Sequence, residues 1–365
     1  MRASSLPTRL ACASRPVALA ALGLSGAAAL AAMPGYGHPG GCTPPPAGQA
    51  ASIANPTTVV GNGTPQSCTS AAFVNAVAKG GVITFNCGPN PVTITLSQTA
   101  KVFNDRPDVV IDGGKKVTLS GGGARRILYM NTCDPKQVWT TDHCDTQVTP
   151  RLTLQNITLT KGNGSGQSYG LSEVYGGGAV FVRGGRFKMV NTRFFNNTCE
   201  ATGPDLGGGA VRAFGGAPGS SVYVSNSTFG GASGYGNSCS NGGALSGLAT
   251  NFRVYNSLLT HNTAIGRGAN PARPGTPGGG SGGAIYQDGN TISLTLCGSK
   301  LENNHANEGG GASFFVSNNL TGTMTLTNSL LRANPSDGFE TDGLPGIFIL
   351  AKPGQPVINN TDILR

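Results

Sequence analysis

The chain has 365 residues, of which 58 are Gly and 23 are Pro, with 11% charged residues and a formal charge of +9. Glycine lies far above its usual ~7%, yet no Gly-X-Y period runs through it, which excludes a collagen helix. The apolar content, 38%, is enough to fill a core, and a weakly charged, basic chain suits an acidic polysaccharide or cell-envelope glycan better than nucleic acid.

Residues 1–32 read as a secretory signal. Arg2, Arg9 and Arg15 precede the apolar stretch Val17 to Ala32, which is short of the ~20 residues a membrane span needs. Cleavage near Ala31 or Ala32 is expected, which leaves a charge of about +6 and predicts a secreted or cell-surface protein. No other apolar run is long enough to span a membrane, so no integral membrane domain is expected. The remaining cysteines, at 42, 68, 87, 133, 144, 199, 239 and 297, are even in number, and in an exported chain they favour disulfides. The most local pairs are Cys68 with Cys87 and Cys133 with Cys144.

Residues 33–58 are rich in Pro and Gly and aperiodic, the composition of a linker. A helix follows over 70–79: Thr69 or Ser70 caps it, Phe73, Val74 and Val77 form its apolar face, and Gly80-Gly81 ends it. Short strands are then expected at 82–85, 92–96, 108–111 and 117–120.

From residue 150 a repeat sets in: "LTLQNITL", "FKMVNTRF", "VYVSNSTF", "FRVYNSLL", "LTLCGSKL", "MTLTNSLL" and a partial "PVINNTDI". Its anchors are Asn156, Asn191, Asn226, Asn256, Asn328 and Asn360, with Gly298 in one copy. A glycine cluster recurs in phase, ending at Ala179, Ala210, Ala244, Ala284 and Ala312. Apolar residues alternate with period 2, so these are strands, and a repeat of roughly thirty residues means stacked units that share one core. The fold expected over 59–365 is all-β: a single-stranded right-handed parallel β-helix of about eight or nine coils, with the helix as N-terminal cap. No comparable cap is seen at the other end, and no membrane-barrel pattern follows the repeats. Leucine-rich repeats are excluded because leucine ladders and a helix per unit are missing, and calcium β-rolls because their Gly-Asp nonapeptides are missing. The anchoring Asn suits a left-handed turn. Asn197, Asn262, Asn304 and Asn334, each six residues after an anchor, form a second candidate row.

This organisation, with "VVIDGGKKVTLSGGG" at 109–123 as an opening coil, resembles the right-handed parallel β-helix proteins of the pectin-lyase-like superfamily. The Gly-Gly-Ala and Asn-Ser units are also similar to repeats of polymorphic outer-membrane passenger domains. The resemblance implies a fold that serves lyases, hydrolases, adhesins and structural proteins. The paired aspartates and Gly-His-Gly of polygalacturonase-like hydrolases are not found. "VWTTDHC" is similar to a lyase element but carries one extra residue between Trp139 and Asp142, which in a strand would turn every later side chain over. A lyase would use calcium, with Asp142 as ligand and an arginine as base; His143 adjoins it. The functional expectation is binding of an acidic polysaccharide, with pectate-lyase-like cleavage as its catalytic form. The alternative is a non-catalytic adhesin or structural solenoid.

Counting from the alanine of each glycine cluster, the second position reads Phe181, Arg212, Ser246, Tyr286 and Phe314. By alternation this row faces out of the coil. Open to solvent, it would stack sugar rings and pair an acid group; under loops, it would pack beneath them. The longest excursion, 263–281, carries Arg267 and Arg273, a candidate wall for an anionic ligand. Isolated acids at Glu173, Asp205, Asp288, Glu302 and Glu308 complete the catalytic candidates, with Glu302 and Glu308 flanking His305.

Overall fold

The computed structural model describes residues 33–171 and 174–365. The expected signal segment 1–32 and Glu173 lie outside the described residues. Residues 34–365 form one unit, and its strands build a parallel β-helix. The long sheet has 17 strands, the sheet that follows the glycine clusters has 8, and a third has 3. Every pairing between these strands is parallel, for example Phe187 beside Leu152, Val222 beside Phe252 and Leu294 beside Met324. The eight-stranded sheet gives one strand per coil, from Ala100–Val102 to Ile347–Leu350, within the expected number of coils.

The register explains the repeat. Leu154, Met189, Val224, Val254, Leu296 and Leu326 occupy one buried column, and Leu159, Phe194, Phe229, Leu259, Leu301 and Leu331 another. Identical positions stack because a one-residue slip would turn the whole apolar set outward. Phe194 and Phe229 lie face to face, with ring centroids 4.7 Å apart.

All the anchors adopt left-handed backbone, with φ between 44° and 52° for the six Asn residues and 61° for Gly298. The glycine two residues before each cluster's alanine does the same: at Gly177, Gly208, Gly242, Gly282 and Gly310 a Cβ would collide with the carbonyl three residues on. These corners require glycine because of both the φ and the close approach.

Two polar ladders run beside the apolar columns. From the second anchor onward the following residue carries a hydroxyl, and from Ser227 on it accepts from the preceding coil's backbone: Thr192 N–H donates to Ser227, Ser227 to Ser257, Ser257 to Ser299, Ser299 to Ser329 and Ser329 to Thr361. Fully inside, the side-chain amide of Asn197 donates to Asn237 Oδ1 at 2.9 Å, Asn237 to Asn262 at 2.9 Å, Asn262 to Asn304 at 3.0 Å and Asn304 to Asn334 at 2.8 Å. Asn237 is a member that the fixed spacing misses, because extra residues around 230–236 displace it.

Helix Ser70–Lys79 lies where it was expected. Thr69 caps it through Ala72 N–H, and Phe73, Ala76 and Val77 are buried in the core of the first coils. Cys68–Cys87 and Cys133–Cys144 are bonded, and so are Cys42–Cys297 and Cys199–Cys239. No helix among the described residues is long and apolar enough to cross a membrane.

The segment expected to be a linker is a docked strap. Thr228 brackets it by bonding Gly35 O and Gly37 N–H at 2.8 Å each. Asn256 accepts from Cys42 N–H and donates to Cys42 O, and Cys42 is bonded to Cys297. Turning back, the strap gives Gln49 O to Lys188 Nζ at 2.7 Å and is bracketed again at Ala51 by Gln155. Besides the Cys42 disulfide and the Tyr36 ring against Arg193, it holds on through its backbone, and the side chains that bind that backbone belong to the repeats.

Candidate functional site

The outward row of the eight-stranded sheet has the expected register: Lys101, Tyr129, Phe181, Arg212, Ser246, Tyr286, Phe314 and Phe348 stand side by side. It is not an open platform. Phe181 and Tyr286 are 0% exposed, and Arg212 and Phe314 2%. At one end Tyr169, Leu171 and Val174 cover Tyr129 and Phe181. In the middle, loops carrying Asp205 and Asn270 cover Arg212 and Tyr286. Aromatic rings facing away from the lumen were too apolar to leave wet, and long excursions between coils supply their cover. Arg212 donates to Ser246 Oγ at 2.8 Å and to the Asp205 carbonyl. Burial pushes its guanidinium down to about 10, still cationic at neutral pH.

The other sequence candidates do not converge on one centre. Asp142 and His143 are exposed in the Cys133–Cys144 loop. The clusters of metal-ligating residue types among the described residues are Cys133, Cys144, Asp145 and Cys199, Glu200, Cys239. In each, both cysteines are tied in a disulfide and offer no thiolate, and Asp142 belongs to neither. Glu302 pairs with Lys300 and Arg332 at 2.7 and 2.6 Å, and His305 with Asp337 at 2.9 Å. Glu308 takes both arms of Arg273 at 2.8 Å and the Gly268 N–H at 2.7 Å. Arg273 is thus engaged by an acid of the protein itself instead of standing free for an anionic ligand, and Arg267 is exposed in the same loop.

Arg273 holds the Glu308 carboxyl below its ordinary 4.5. A depressed folded value means that the contact stabilises the loop above pH 4.5 and is lost as the pH falls through the folded value. Glu308→Gln is expected to lower the protection factors of the amides in 263–281 at neutral pH and to abolish the further loss of protection on acidification expected of the parent. Equal protection in both proteins would show that the pair does not hold the loop.

A different surface brings cations together. On the long sheet, Arg151 stands beside Arg186, and Thr153 is followed across the strands by Lys188, Tyr223 and Arg253. Arg151 forms a two-armed pair with Asp108 at 2.6 and 2.7 Å, which raises its pKa. Arg186 is exposed and makes no ion pair among the described residues. Lys188 is half-buried, and burial lowers its pKa. Arg151, Thr153, Arg186, Lys188 and Tyr223 line a cleft of about 360 Å³, together with Ala47 of the strap and Pro218 to Ser221. A second hollow of about 170 Å³ shares Arg186, Phe187 and Pro218 to Ser221 and continues past Asn251 to Thr291. Together they make a groove along the corner between the two large sheets, crossing successive coils.

No protein-family model matches the chain, and neither a curated protein nor a solved structure does. The residues themselves carry the functional argument. The basic column could have been found by aligning the outward positions of the Asn repeats, where Lys188, Tyr223 and Arg253 fall in one place.

Proposed function

We propose that the protein is an exported β-helix protein that binds an acidic polysaccharide along the groove of Arg151, Arg186, Lys188 and Tyr223. One observation carries this reading: the groove runs across successive coils and offers cations and an aromatic ring where a polymer can lie lengthwise. Exposed Arg186 meets carboxylate or sulfate groups in two-point hydrogen bonds, and the half-exposed Tyr223 ring offers a sugar an apolar face. The parallel β-helix and the resemblance to the pectin-lyase-like superfamily agree with such a ligand, and four disulfides suit an exported protein. The reading is of binding. Asp142, the calcium ligand a lyase would use, and the adjoining His143 lie on the exposed disulfide loop and do not line the groove.

The test is binding of polygalacturonate, chondroitin sulfate and neutral dextran, measured by calorimetry across a salt series. At least one polyanion should bind, more weakly as salt screens the charges, and dextran should not. Arg186→Ala with Lys188→Ala should weaken binding about tenfold, a loss of ~1.4 kcal/mol. Unchanged affinity in the double variant would remove the groove as the site. Release of unsaturated uronides from polygalacturonate would add cleavage to binding.

A further inference from the structure

The far end of the outward row is built for another ligand. Phe314 lies stacked between Tyr286 and Phe348, with centroids 5.1 Å from each, and Phe339 stands edge-on to Phe348 at 4.8 Å. Tyr286 and Phe314 are buried, whereas Phe339 and Phe348 are partly exposed. Phe314, Phe339 and Phe348 floor a cavity of about 390 Å³ that is also lined by Asp205, Asn270, Asp288 and Asn318.

These polar groups are fixed in place, with acceptors to spare. Tyr286 Oη lies 3.2 Å from Asp205 Oδ1 and 3.4 Å from Asp288 Oδ2, so its one proton serves two carboxylates. Asn270 donates to Asp205 Oδ1 at 2.7 Å, and Asn318 donates to Asp288 Oδ1 at 2.8 Å. Among the described residues no hydrogen bond is made to Asp205 Oδ2 or to the Asn318 side-chain oxygen. Burial, and to a lesser degree the charge of Asp205, holds the Asp288 carboxyl above its ordinary range, against the hydrogen bond from Asn318. Burial likewise raises Tyr286 well above its ordinary value, which keeps it a donor.

We infer that this cavity binds a neutral pyranose unit of a glycan, with the ring against Phe348 and Phe339 and its hydroxyls on Asp205, Asp288 and Asn318. A largely apolar hollow with a few oriented polar groups is the usual form of a small-ligand site. Sugar hydroxyls are donors that suit the unused acceptors, and the C–H face of the ring suits the aromatic floor. Two carboxylates sharing one tyrosine proton oppose a uronate or a sulfated sugar, so this ligand differs from the polyanion of the basic groove. The inference does not depend on that groove.

The experiment is calorimetric titration of the whole protein with cellopentaose, xylopentaose, laminaripentaose, mannopentaose and the galacturonate pentamer. At least one neutral pentamer is expected to bind. Phe348→Ala should weaken it at least tenfold, Phe348→Tyr should restore it, and Asn318→Ala, at an exposed position, should weaken it severalfold with an unchanged melting temperature. Arg186→Ala should leave neutral-sugar binding as it is, so failure of the basic groove and failure of this site are read separately. Binding of none of the neutral pentamers would overturn the inference. So would affinities unaltered in both Phe348→Ala and Asn318→Ala, or a preference for the galacturonate pentamer that Arg186→Ala does not abolish.

Discussion

Asn262→Leu is expected to lower the free energy of unfolding by on the order of 3–5 kcal/mol, although leucine is as large and more apolar. Asn262 sits in the middle of the internal amide ladder. Its oxygen accepts from the Asn237 backbone N–H at 3.1 Å and from the Asn237 side chain at 2.9 Å. Its amide donates to Asn304 Oδ1, Phe229 O and Thr260 O at 3.0, 3.0 and 3.1 Å. Leucine would leave donors of one coil and acceptors of the next buried without partners, and it is those orphaned neighbours that cost most. Asn334→Leu makes a useful comparison. Asn334 accepts from Asn304 but donates only to Leu301 O and Arg332 O of its own surroundings, so the loss there should be smaller, about 2 kcal/mol. Urea midpoints of the two variants measure the difference. Equal losses would mean that the ladder does not act as a chain of mutually dependent bonds.

The second large effect is expected from Cys42→Ser. Cys42–Cys297 joins residues 255 apart, against 11 for Cys133–Cys144. If loop-closure entropy of the unfolded chain governs the stabilisation, the long bridge contributes about 5–6 kcal/mol and the short one about 3. Losing the long bridge should also loosen the strap, whose Ala47 lines the basic cleft and whose Gln49 holds Lys188. Cys42→Ser should therefore unfold at lower denaturant than Cys133→Ser, become sensitive to proteolysis within 34–57 and bind polyanions more weakly. A strap that stays resistant would show that the brackets from Thr228, Asn256 and Gln155 hold it alone.

How much of this was legible in the sequence depended on whether a feature repeats. Period-2 alternation, Asn anchors and glycine corners recur in phase, so the parallel β-helix, the register of Phe181, Arg212, Tyr286 and Phe314 and the inner row of Asn197, Asn262, Asn304 and Asn334 could be read directly. Features made by single excursions could not. Alternation told that Tyr286 points away from the lumen, but whether solvent or a loop lies there depends on where 201–206 and 263–281 fold back. The groups of the acid–aromatic cavity come from distant stretches, around Asp205, Asn270, Asp288, Phe314, Phe339 and Phe348, that no local spacing links. The docking of the strap is hidden for a related reason: the side chains that bracket its backbone, Thr228, Asn256 and Gln155, lie more than a hundred residues further along the chain.

That strap has a mechanical consequence. A stack of coils in which each touches only its neighbours can be peeled one layer at a time from either end. Here a covalent tie runs back from Cys297 to Cys42, and the chain between Cys42 and the first coil lies along the outside, fastened at Tyr223, Lys188 and Gln155. A pull on the C-terminal end would strip residues 298–365 and then meet the bridge. Beyond that point the load would pass along the strap toward the opposite end of the stack, so the earlier coils would be tensioned together, like beads drawn tight on a looped cord.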